Sequence, residues 1–191
     1  MSSGSAYQGS PPWDIGRPQP ALVGLVEAGA IRGRVLDAGC GTGEHALMAA
    51  SLGLDVTGVD ADPTAIAKAE TKARDRGLAV RFMVWDALDL ASLDERFDTV
   101  LDCGLFHLFG DADRIRYVDG LRAVVPAGGH YHMLCFSDLQ PGVAGPRRVS
   151  QDEIRASFGE GWRVDEIRAA TLEITVGPGR ILAWLASVTR T

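Results

Sequence analysis

The stretch VLDAGCGTGEHAL, residues 35–47, constrains the fold of this chain more than any other feature. A short apolar run stops at a turn in which every second residue is glycine, and a helix-forming run follows at once. Glycine lets a backbone turn sharply and approach a ligand closely, and the helix behind it offers unpaired N–H groups. The stretch therefore predicts a buried strand over 34–39, a ligand-binding loop and a helix over 42–53.

The same alternation of strand and helix continues along the chain. Strands are predicted over 54–60, 79–85, 97–104 and 130–136, and helices over 21–31, 63–77 and 111–125. Asp62 before Pro63 is typical of a helix start, and Gly77 of a helix end. The segment after the third strand predicts only a linker or a short helix. Repeated βα units with short connections indicate an α/β, Rossmann-like, doubly wound and mostly parallel sheet with helices on both faces.

The chain after residue 149 is less regular. Ser150 and Glu153 form a capping-box pattern, which predicts one more helix. Two strand-like runs then flank the Gly-Pro-Gly at 177–179, which indicates a C-terminal antiparallel hairpin. With these two strands the sheet is expected to be seven-stranded, in a single domain.

Charge and cysteine usage narrow the classes of partner and location. The net charge is −6 without a lysine- or arginine-rich run, so a nucleic-acid partner is not expected. No apolar run approaches the ~20 residues that span a bilayer, so no membrane partner is expected either. Cys40, Cys103 and Cys135 are far apart and predict neither a disulfide framework nor a zinc site, which favours the cytoplasm.

The spacing of the loop glycines selects among nucleotide-binding loops. A dinucleotide loop reads GxGxxG and a P-loop ends in GK[ST], whereas this loop reads GxGxG and continues with Glu44, which would repel a pyrophosphate. Asp60 ends the second strand, where a carboxylate can accept both ribose hydroxyls. Asp86 ends the third strand, where it could accept from an adenine amino group or simply cap the following segment.

These segments resemble the class I S-adenosylmethionine-dependent methyltransferases. VLDAGCGTGEHAL and VTGVDADPTAI look like the first two motifs of that class, and VWDALDL and FDTVLDCGLFHLF like the third and fourth. The resemblance covers roughly residues 30–137. It implies S-adenosyl-L-methionine as cofactor, S-adenosyl-L-homocysteine as product, and a donor site around the methionine, ribose, adenine and sulfonium. The implied donor-binding residues are Asp37, Gly39, Gly41, Gly43, Asp60, Ala61, Asp86, Ala87 and Cys103.

A closer similarity extends over nearly all of residues 11–160. PPWDIGRPQPAL, GLFHLFGD, MLCFSDLQPG and GPRRVSQDEI look like the heterocyclic toxin methyltransferases, with thiopurine and tellurite-resistance methyltransferases as more distant relatives. This resemblance implies methyl transfer to a hydroxyl or ring nitrogen of a small aromatic heterocycle. The first ten residues have neither a basic start nor an apolar run, so we expect a disordered tail over 1–10. The proline-rich stretch before the first strand can fold back over the carboxyl ends of the sheet, which predicts an N-terminal lid and helix over 11–33 and leaves the methyltransferase domain over 34–191.

The acceptor side is predicted from side-chain chemistry. His107 can take a proton near neutral pH, so it is the expected base, oriented by Asp14; a structural role for this histidine is the alternative. An acidic N-hydroxyl would arrive ionised and need no base. His130 and His132 share a strand face without further ligands, so no metal is expected. The residues expected to contact substrate are Trp13, Arg17, Phe106, Phe136 and Arg148.

Three alternatives stay open at this point. The acceptor could be a thiol or another small molecule, and the nucleotide-binding fold could serve as a module without turnover. A nicotinamide oxidoreductase is disfavoured by Glu44. The sequence is compatible with a monomer or a homodimer.

Overall fold

A seven-stranded sheet organises the molecule. A computed structural model describes residues 6–191. Its strands are β1 (Arg34–Ala38), β2 (Asp55–Asp60), β3 (Arg81–Val84), β4 (Thr99–Cys103), β5 (His130–Phe136), β6 (Trp162–Glu173) and β7 (Arg180–Arg190). They lie in the order β3-β2-β1-β4-β5-β7-β6. β1 to β5 are parallel, and β7 runs antiparallel to both β5 and β6. The predicted doubly wound sheet with its closing hairpin is confirmed.

Two of the helices begin at the local signals that predict them, whereas the first ends at Glu27, before its predicted end at residue 31. The helices are α1 (Pro20–Glu27), α2 (Glu44–Ser51), α3 (Pro63–Arg76), α4 (Asp111–Val124) and α5 (Gln151–Ser157). Asp62 accepts the Thr64 N–H at 2.8 Å to start α3, and the capping box of Ser150 and Glu153 starts α5. The segment after β3 is a 3-10 helix, Ala87–Leu93. No helix within residues 6–191 has the length and apolar character to cross a membrane.

Apolar side chains cover both faces of the sheet. One face packs against α1, α2 and α3 through residues such as Leu22, Leu47 and Ile66. The other packs against the 3-10 helix, α4 and α5 through residues such as Leu121 and Ile154. Strands buried on both faces carry continuous apolar runs, which explains why β1, β4 and β5 could be recognised without alternation.

The strand order reverses beside β1. From β1 the chain first extends the sheet through β2 and β3, then returns to place β4 on the other side of β1. Ligands of open α/β sheets bind outside the carboxyl ends of the strands at such a switch point. The glycine loop follows β1 directly and therefore lies at this position.

The start of the chain differs from the expected disordered tail over 1–10. Residues 1–5 lie outside the described residues, but Ala6–Gln8 form a short 3-10 helix. The Lys68 ammonium on α3 donates to the carbonyl of Gly9 at 2.8 Å, and Tyr7 lies against the glycine loop. These contacts give residues 6–10 a defined position, which composition alone does not indicate.

Candidate functional site

The glycine loop joins β1 to α2 at the switch point. Gly39, Gly41 and Gly43 have φ values of 68°, 53° and 86°, the left-handed region that side chains disfavour. The Cys40 N–H donates to the Val59 carbonyl at 2.9 Å, which ties the loop to β2. A Cβ on Gly43 would lie 2.7 Å from Phe82, so this glycine is also needed for packing. The loop is thus held in one shape by the sheet beneath it.

Asp37 lies under this loop with one oxygen unsatisfied. The residue is 1 % exposed, and its Oδ2 accepts the Ala46 N–H at 3.0 Å. Its Oδ1 has no hydrogen-bond partner among the described residues. Burial raises the pKa of this carboxyl to about 7, against the lowering effect of the Ala46 bond. A buried acceptor without a partner fits an N–H donor of a ligand, such as the amino group of a methionine moiety.

Asp60 supports the loop from β2. Its Oδ2 accepts the Gly41 N–H at 2.8 Å, and its Oδ1 accepts the Asp62 N–H at 2.9 Å. Burial raises the pKa of this half-buried carboxyl. Each oxygen keeps a further lone pair, so Asp60 can still accept from two hydroxyl groups. Ala61, which follows it, is exposed.

Asp86, which follows β3, caps the segment after it, and this is the simpler of the two roles considered for it from the sequence. Its exposed carboxylate accepts the Leu88 N–H at 2.9 Å and so caps the 3-10 helix, while Ala87 behind it is buried. Its contact with an adenine edge stays a prediction.

Glu44 has an ionic role in the fold. It is 6 % exposed and binds Lys72 at 2.7 Å and Arg76 at 2.9 Å, both on α3. The acid that distinguishes this loop from a dinucleotide loop therefore fastens α2 to α3.

Asp102, inside β4, was not singled out from the sequence. It is fully buried and accepts the hydroxyls of Tyr117 at 3.0 Å and Tyr131 at 2.8 Å, together with the Leu105 N–H at 2.9 Å. Burial raises its pKa to about 6, while these hydrogen bonds lower it. An acid inside the apolar run TVLDC was the available signal. Asp102 fixes the turn that leads from β4 to residues 104–109.

That turn brings residues of the β4 end against the glycine loop. Leu105 side-chain atoms lie 3.1 Å from the place that a Cβ on Gly39 would occupy. Cys103, the last residue of β4, is half-buried, and burial raises the pKa of its thiol. The expected border of the donor site is therefore contiguous with the loop.

In the 3-10 helix Phe106–Leu108, the side chains of the first two residues pack against different parts of the protein. Phe106 is fully buried and stacks on Phe158 with ring centroids 6.1 Å apart, so it belongs to the core, which corrects the expectation that it contacts substrate. His107 instead lies against Phe136 at the end of β5, with ring centroids 4.6 Å apart. Phe136 and His107 thus stay candidates for the acceptor site.

Residues 11–20 cross the carboxyl edge of the sheet. Trp13 is 50 % exposed, and its indole N–H donates to the Tyr7 hydroxyl at 3.2 Å. That hydroxyl lies 2.9 Å from the place of a Cβ on Gly41. At the other side the Thr175 N–H, just after β6, donates to the Pro12 carbonyl at 2.8 Å. The segment therefore spans from the glycine loop to the closing hairpin.

Two residues of this segment have partners other than those expected. Asp14 accepts the Thr42 hydroxyl at 2.9 Å, so it binds the glycine loop and does not orient His107. Arg17 forms an ion pair with Glu173 at the end of β6, which occupies the group expected to bind a substrate carboxylate. Both side chains fasten the segment to the domain.

The histidines of β5 do not assemble a metal site. His130 and His132 stack with centroids 6.0 Å apart, but the Arg32 guanidinium binds His130 and the Ser187 hydroxyl binds His132. No cluster of three potential metal ligands occurs within residues 6–191.

Comparisons with known proteins identify the family to which this arrangement belongs. A protein-family profile described as a methyltransferase domain matches residues 35–129. The chain is 40% identical over 165 residues to a 2-heptyl-1-hydroxyquinolin-4(1H)-one methyltransferase of Mycobacteroides abscessus, covering 85% of this chain and 73% of that protein. It is 29% identical to a probable thiol methyltransferase of Arabidopsis thaliana, covering 76% of this chain and 65% of that one.

A solved structure is similar over almost the full length. It comes from work on the conversion of a disulfide bond into a thioacetal group during echinomycin biosynthesis, and is 41% identical with a TM-score of 0.87. The match covers 97% of this chain and 88% of that one.

Proposed function

The chain belongs to the S-adenosylmethionine-dependent methyltransferases, and from that premise we propose that it methylates a hydroxyl, or a ring nitrogen, of a small aromatic heterocycle. The observation that carries the proposal is the packing of His107, in the turn after β4, on the Phe136 ring at the end of β5. It is supported by the buried Asp37 under the glycine loop, whose Oδ1 has no partner among the described residues. The relative that acts on a hydroxyquinolinone supports this acceptor class.

The donor site is proposed residue by residue. Asp37 and the loop glycines hold the methionine part, because the Asp37 Oδ1 needs an N–H partner. Asp60 with Ala61 binds the ribose, Asp86 with Ala87 the adenine edge, and Cys103 lies beside the sulfur. When bound, S-adenosylmethionine supplies a methyl group activated by a sulfonium. The protein contributes chiefly alignment of the acceptor, which can lower a barrier by about 7–11 kcal/mol.

The N-terminal segment is proposed as a lid, with 11–33 as lid and helix and 34–191 as the methyl-transfer domain. Trp13 and Tyr7 cover the loop, Asp14 anchors to Thr42, and the prolines limit the freedom lost on closure. Deleting residues 1–16 leaves the Arg17 and Gln19 anchors intact. We expect this deletion to weaken donor binding without unfolding the domain; unchanged donor affinity and turnover would contradict the lid.

Binding and turnover are tested separately. Calorimetric titration with S-adenosylmethionine, S-adenosylhomocysteine and NAD should detect the first two ligands alone, and Asp37→Asn should weaken them while Asp75→Asn, at an exposed position of α3, should not. A screen of phenols, N-hydroxy heterocycles, ring N–H heterocycles and thiols then reads transfer as a mass increase of one methylene. Donor binding without methylation of any acceptor would favour a non-catalytic module.

A sulfur acceptor is the second candidate. Two of the similar proteins concern sulfur, one as a thiol methyltransferase and one from a pathway that forms a thioacetal. Faster methylation of thiols than of hydroxyls in the same screen would favour a sulfur acceptor over the proposed hydroxyl.

The remaining proposals concern partners and location. A net charge of −6 supports a small-molecule substrate and no nucleic acid partner. Free thiols at Cys40, Cys103 and Cys135 support the reducing cytoplasm. We propose a monomer or homodimer, which light scattering distinguishes.

A further inference from the structure

The imidazole of His107 has a defined proton arrangement. The backbone N–H of Phe136 donates to its Nδ1 at 3.0 Å, so Nδ1 is an acceptor and the proton of the neutral ring lies on Nε2. The residue is 4 % exposed. Burial, and secondly the charge of Arg148, lower its pKa to about 4. At neutral pH His107 is therefore a neutral ring that can donate from Nε2 and has no free nitrogen lone pair.

The donating edge of this ring faces the end of β4. Cε1 and Nε2 of His107 lie 3.5 and 3.7 Å from the place that a Cβ on Gly104 would occupy. Because glycine has no side chain, Gly104 leaves this space next to the ring free of its own atoms. No acceptor within residues 6–191 takes the Nε2 proton. Gly104 follows Cys103 directly, so this N–H is available to a ligand placed beside the proposed sulfur position.

Arg148 adds a fixed positive charge to the same place. Its guanidinium lies 5.3 Å from the ring centroid of Phe136, the ring that also packs on His107. Backbone carbonyls hold it in place, and no carboxylate of the described residues forms an ion pair with it. The carbonyl partners, with their distances, are those of Gln140 at 3.3 Å, Gly142 at 3.4 Å, Ala144 at 2.9 Å and Pro146 at 2.7 Å.

An N–H donor and a cation without a carboxylate partner, both packed against the Phe136 ring, favour an anion. Resting on the proposed function, we propose that the acceptor binds as an oxyanion, and that the His107 Nε2–H positions this oxygen instead of acting as a base. The substrate class is then narrower: heteroaromatic or N-hydroxy compounds whose hydroxyl ionises near or below neutral pH. Arg148 is the charged group that acts on His107 and favours the same ionised form.

The methyl transfer to an oxyanion balances in atoms and charge without a general base. An oxygen lone pair forms the O–CH3 bond as the S–CH3 bond breaks, and the bonding pair goes to sulfur. One negative and one positive charge disappear, and the products are a neutral ether and a neutral thioether. No proton moves in this step, which agrees with an imidazole that has no free lone pair.

The test on the unmodified enzyme is a series of hydroxyl acceptors of similar size with pKa values from about 5 to about 10. We expect kcat/KM to fall on acidification with a breakpoint that follows the pKa of each acceptor, and weakly acidic phenols to be poor substrates at neutral pH. A breakpoint that stays at one pH for all acceptors, with weak acids methylated as fast as strong ones, would overturn the proposal.

Variants of His107 distinguish a hydrogen-bond donor from a general base at this position. His107→Gln keeps an N–H near the Nε2 position but cannot act as a base, whereas His107→Ala removes both. For an ionised acceptor we expect His107→Ala to lower kcat/KM by about 10- to 100-fold, the worth of a hydrogen bond to a charged group, and His107→Gln to recover most of it. Equal loss in both variants, with folding intact by circular dichroism, would overturn the donor role.

A matched control uses the same substitution elsewhere on β5. His130→Gln changes a histidine at the opposite end of the strand, bound to Arg32 and Thr189, and should leave kcat/KM unchanged. If the enzyme binds S-adenosylmethionine but methylates no acceptor at any pH, the proposed function itself fails. Methylation with a fixed breakpoint would instead refute only the oxyanion proposal.

Discussion

Gly43 allows the two reasons for a glycine in the loop to be separated. It precedes α2 with φ of 86°, and an added Cβ would lie 2.7 Å from Cζ of Phe82 and 2.9 Å from Cβ of Ala69. Gly53, just after the end of α2, has φ of 79° but nothing within 4 Å of its added Cβ. Gly43→Ala and Gly53→Ala therefore impose the same backbone strain, and only the first imposes a steric clash.

The magnitudes follow from these contacts. A side chain held at left-handed φ costs about 1–2 kcal/mol, and overpacking adds about 1–3 kcal/mol. We expect Gly53→Ala to lower the free energy of unfolding by about 1–2 kcal/mol and Gly43→Ala by about 2–5 kcal/mol. Phe82 and Ala69 are both buried and cannot move aside without disturbing β3 and α3, so the clash is not relieved cheaply.

Urea unfolding of the ligand-free variants, followed by tryptophan fluorescence, measures both values. Equal destabilisation by the two substitutions would refute the packing argument. If Gly43→Ala then also lost donor binding, the need for glycine would come from the approach of the donor and not from Phe82.

Three further outcomes are expected. Asp37→Asn should stabilise the ligand-free protein at pH 8 but hardly at pH 4, because burial raises the pKa of this carboxyl to about 7 from an unfolded value near 4. The native state then favours the protonated form, and this contribution to stability is lost progressively as the pH rises from about 4 to about 7. A difference in thermal midpoint that does not depend on pH would contradict this. Arg17→Ala should lower the free energy of unfolding by no more than about 1 kcal/mol, since the ion pair of Arg17 with Glu173 is largely exposed. The KM of the acceptor should stay unchanged, and a raised KM would instead support the expected contact of Arg17 with substrate. Asp102→Asn should cost about 2–4 kcal/mol by urea unfolding, because an amide cannot accept from all the donors around it, and a loss below 1 kcal/mol would show that the cluster contributes little.

The fold was predictable because its determinants are local. The runs that predict β1 to β4 stop at glycine or aspartate, and signals such as Asp62–Pro63 and Ser150–Glu153 place helix starts within a residue or two. The right-handedness of βα crossovers then restricts the strand orders that can form, without knowledge of any particular contact. The glycine loop belongs to this class of feature, and it lies at the switch point as expected.

The acceptor side was less predictable because its residues acquire their roles from distant contacts. Phe106 and His107 are neighbours in an apolar segment, yet one turn of 3-10 helix places the first in the core and the second against β5. The sequence GLFHLFGD does not indicate that Nδ1 of His107 already accepts a hydrogen bond from the Phe136 N–H. That bond decides whether the imidazole can accept a proton from a substrate.

The structure of the proline-rich segment 11–20 depends both on its local sequence and on contacts with residues far away in the chain. Its composition predicts a stiff, non-helical strap, but its anchors lie far away in the chain: the side-chain amide of Gln19 pairs with both the N–H and the carbonyl of Glu173, at 2.8 and 3.0 Å. This pairing copies the hydrogen bonds of one more strand residue on β6, so the segment is tied to the closing hairpin as well as to the glycine loop. The hairpin side is fixed by the two half-buried Gln19–Glu173 bonds and by the Thr175 N–H that donates to the Pro12 carbonyl, and the loop side by the half-buried Asp14–Thr42 bond. Because more hydrogen bonds must break on the hairpin side, we expect the loop side to open first. If the segment acts as the proposed lid, opening there would uncover Gly41 while Gln19 stays in place, and donor and acceptor would have a route in.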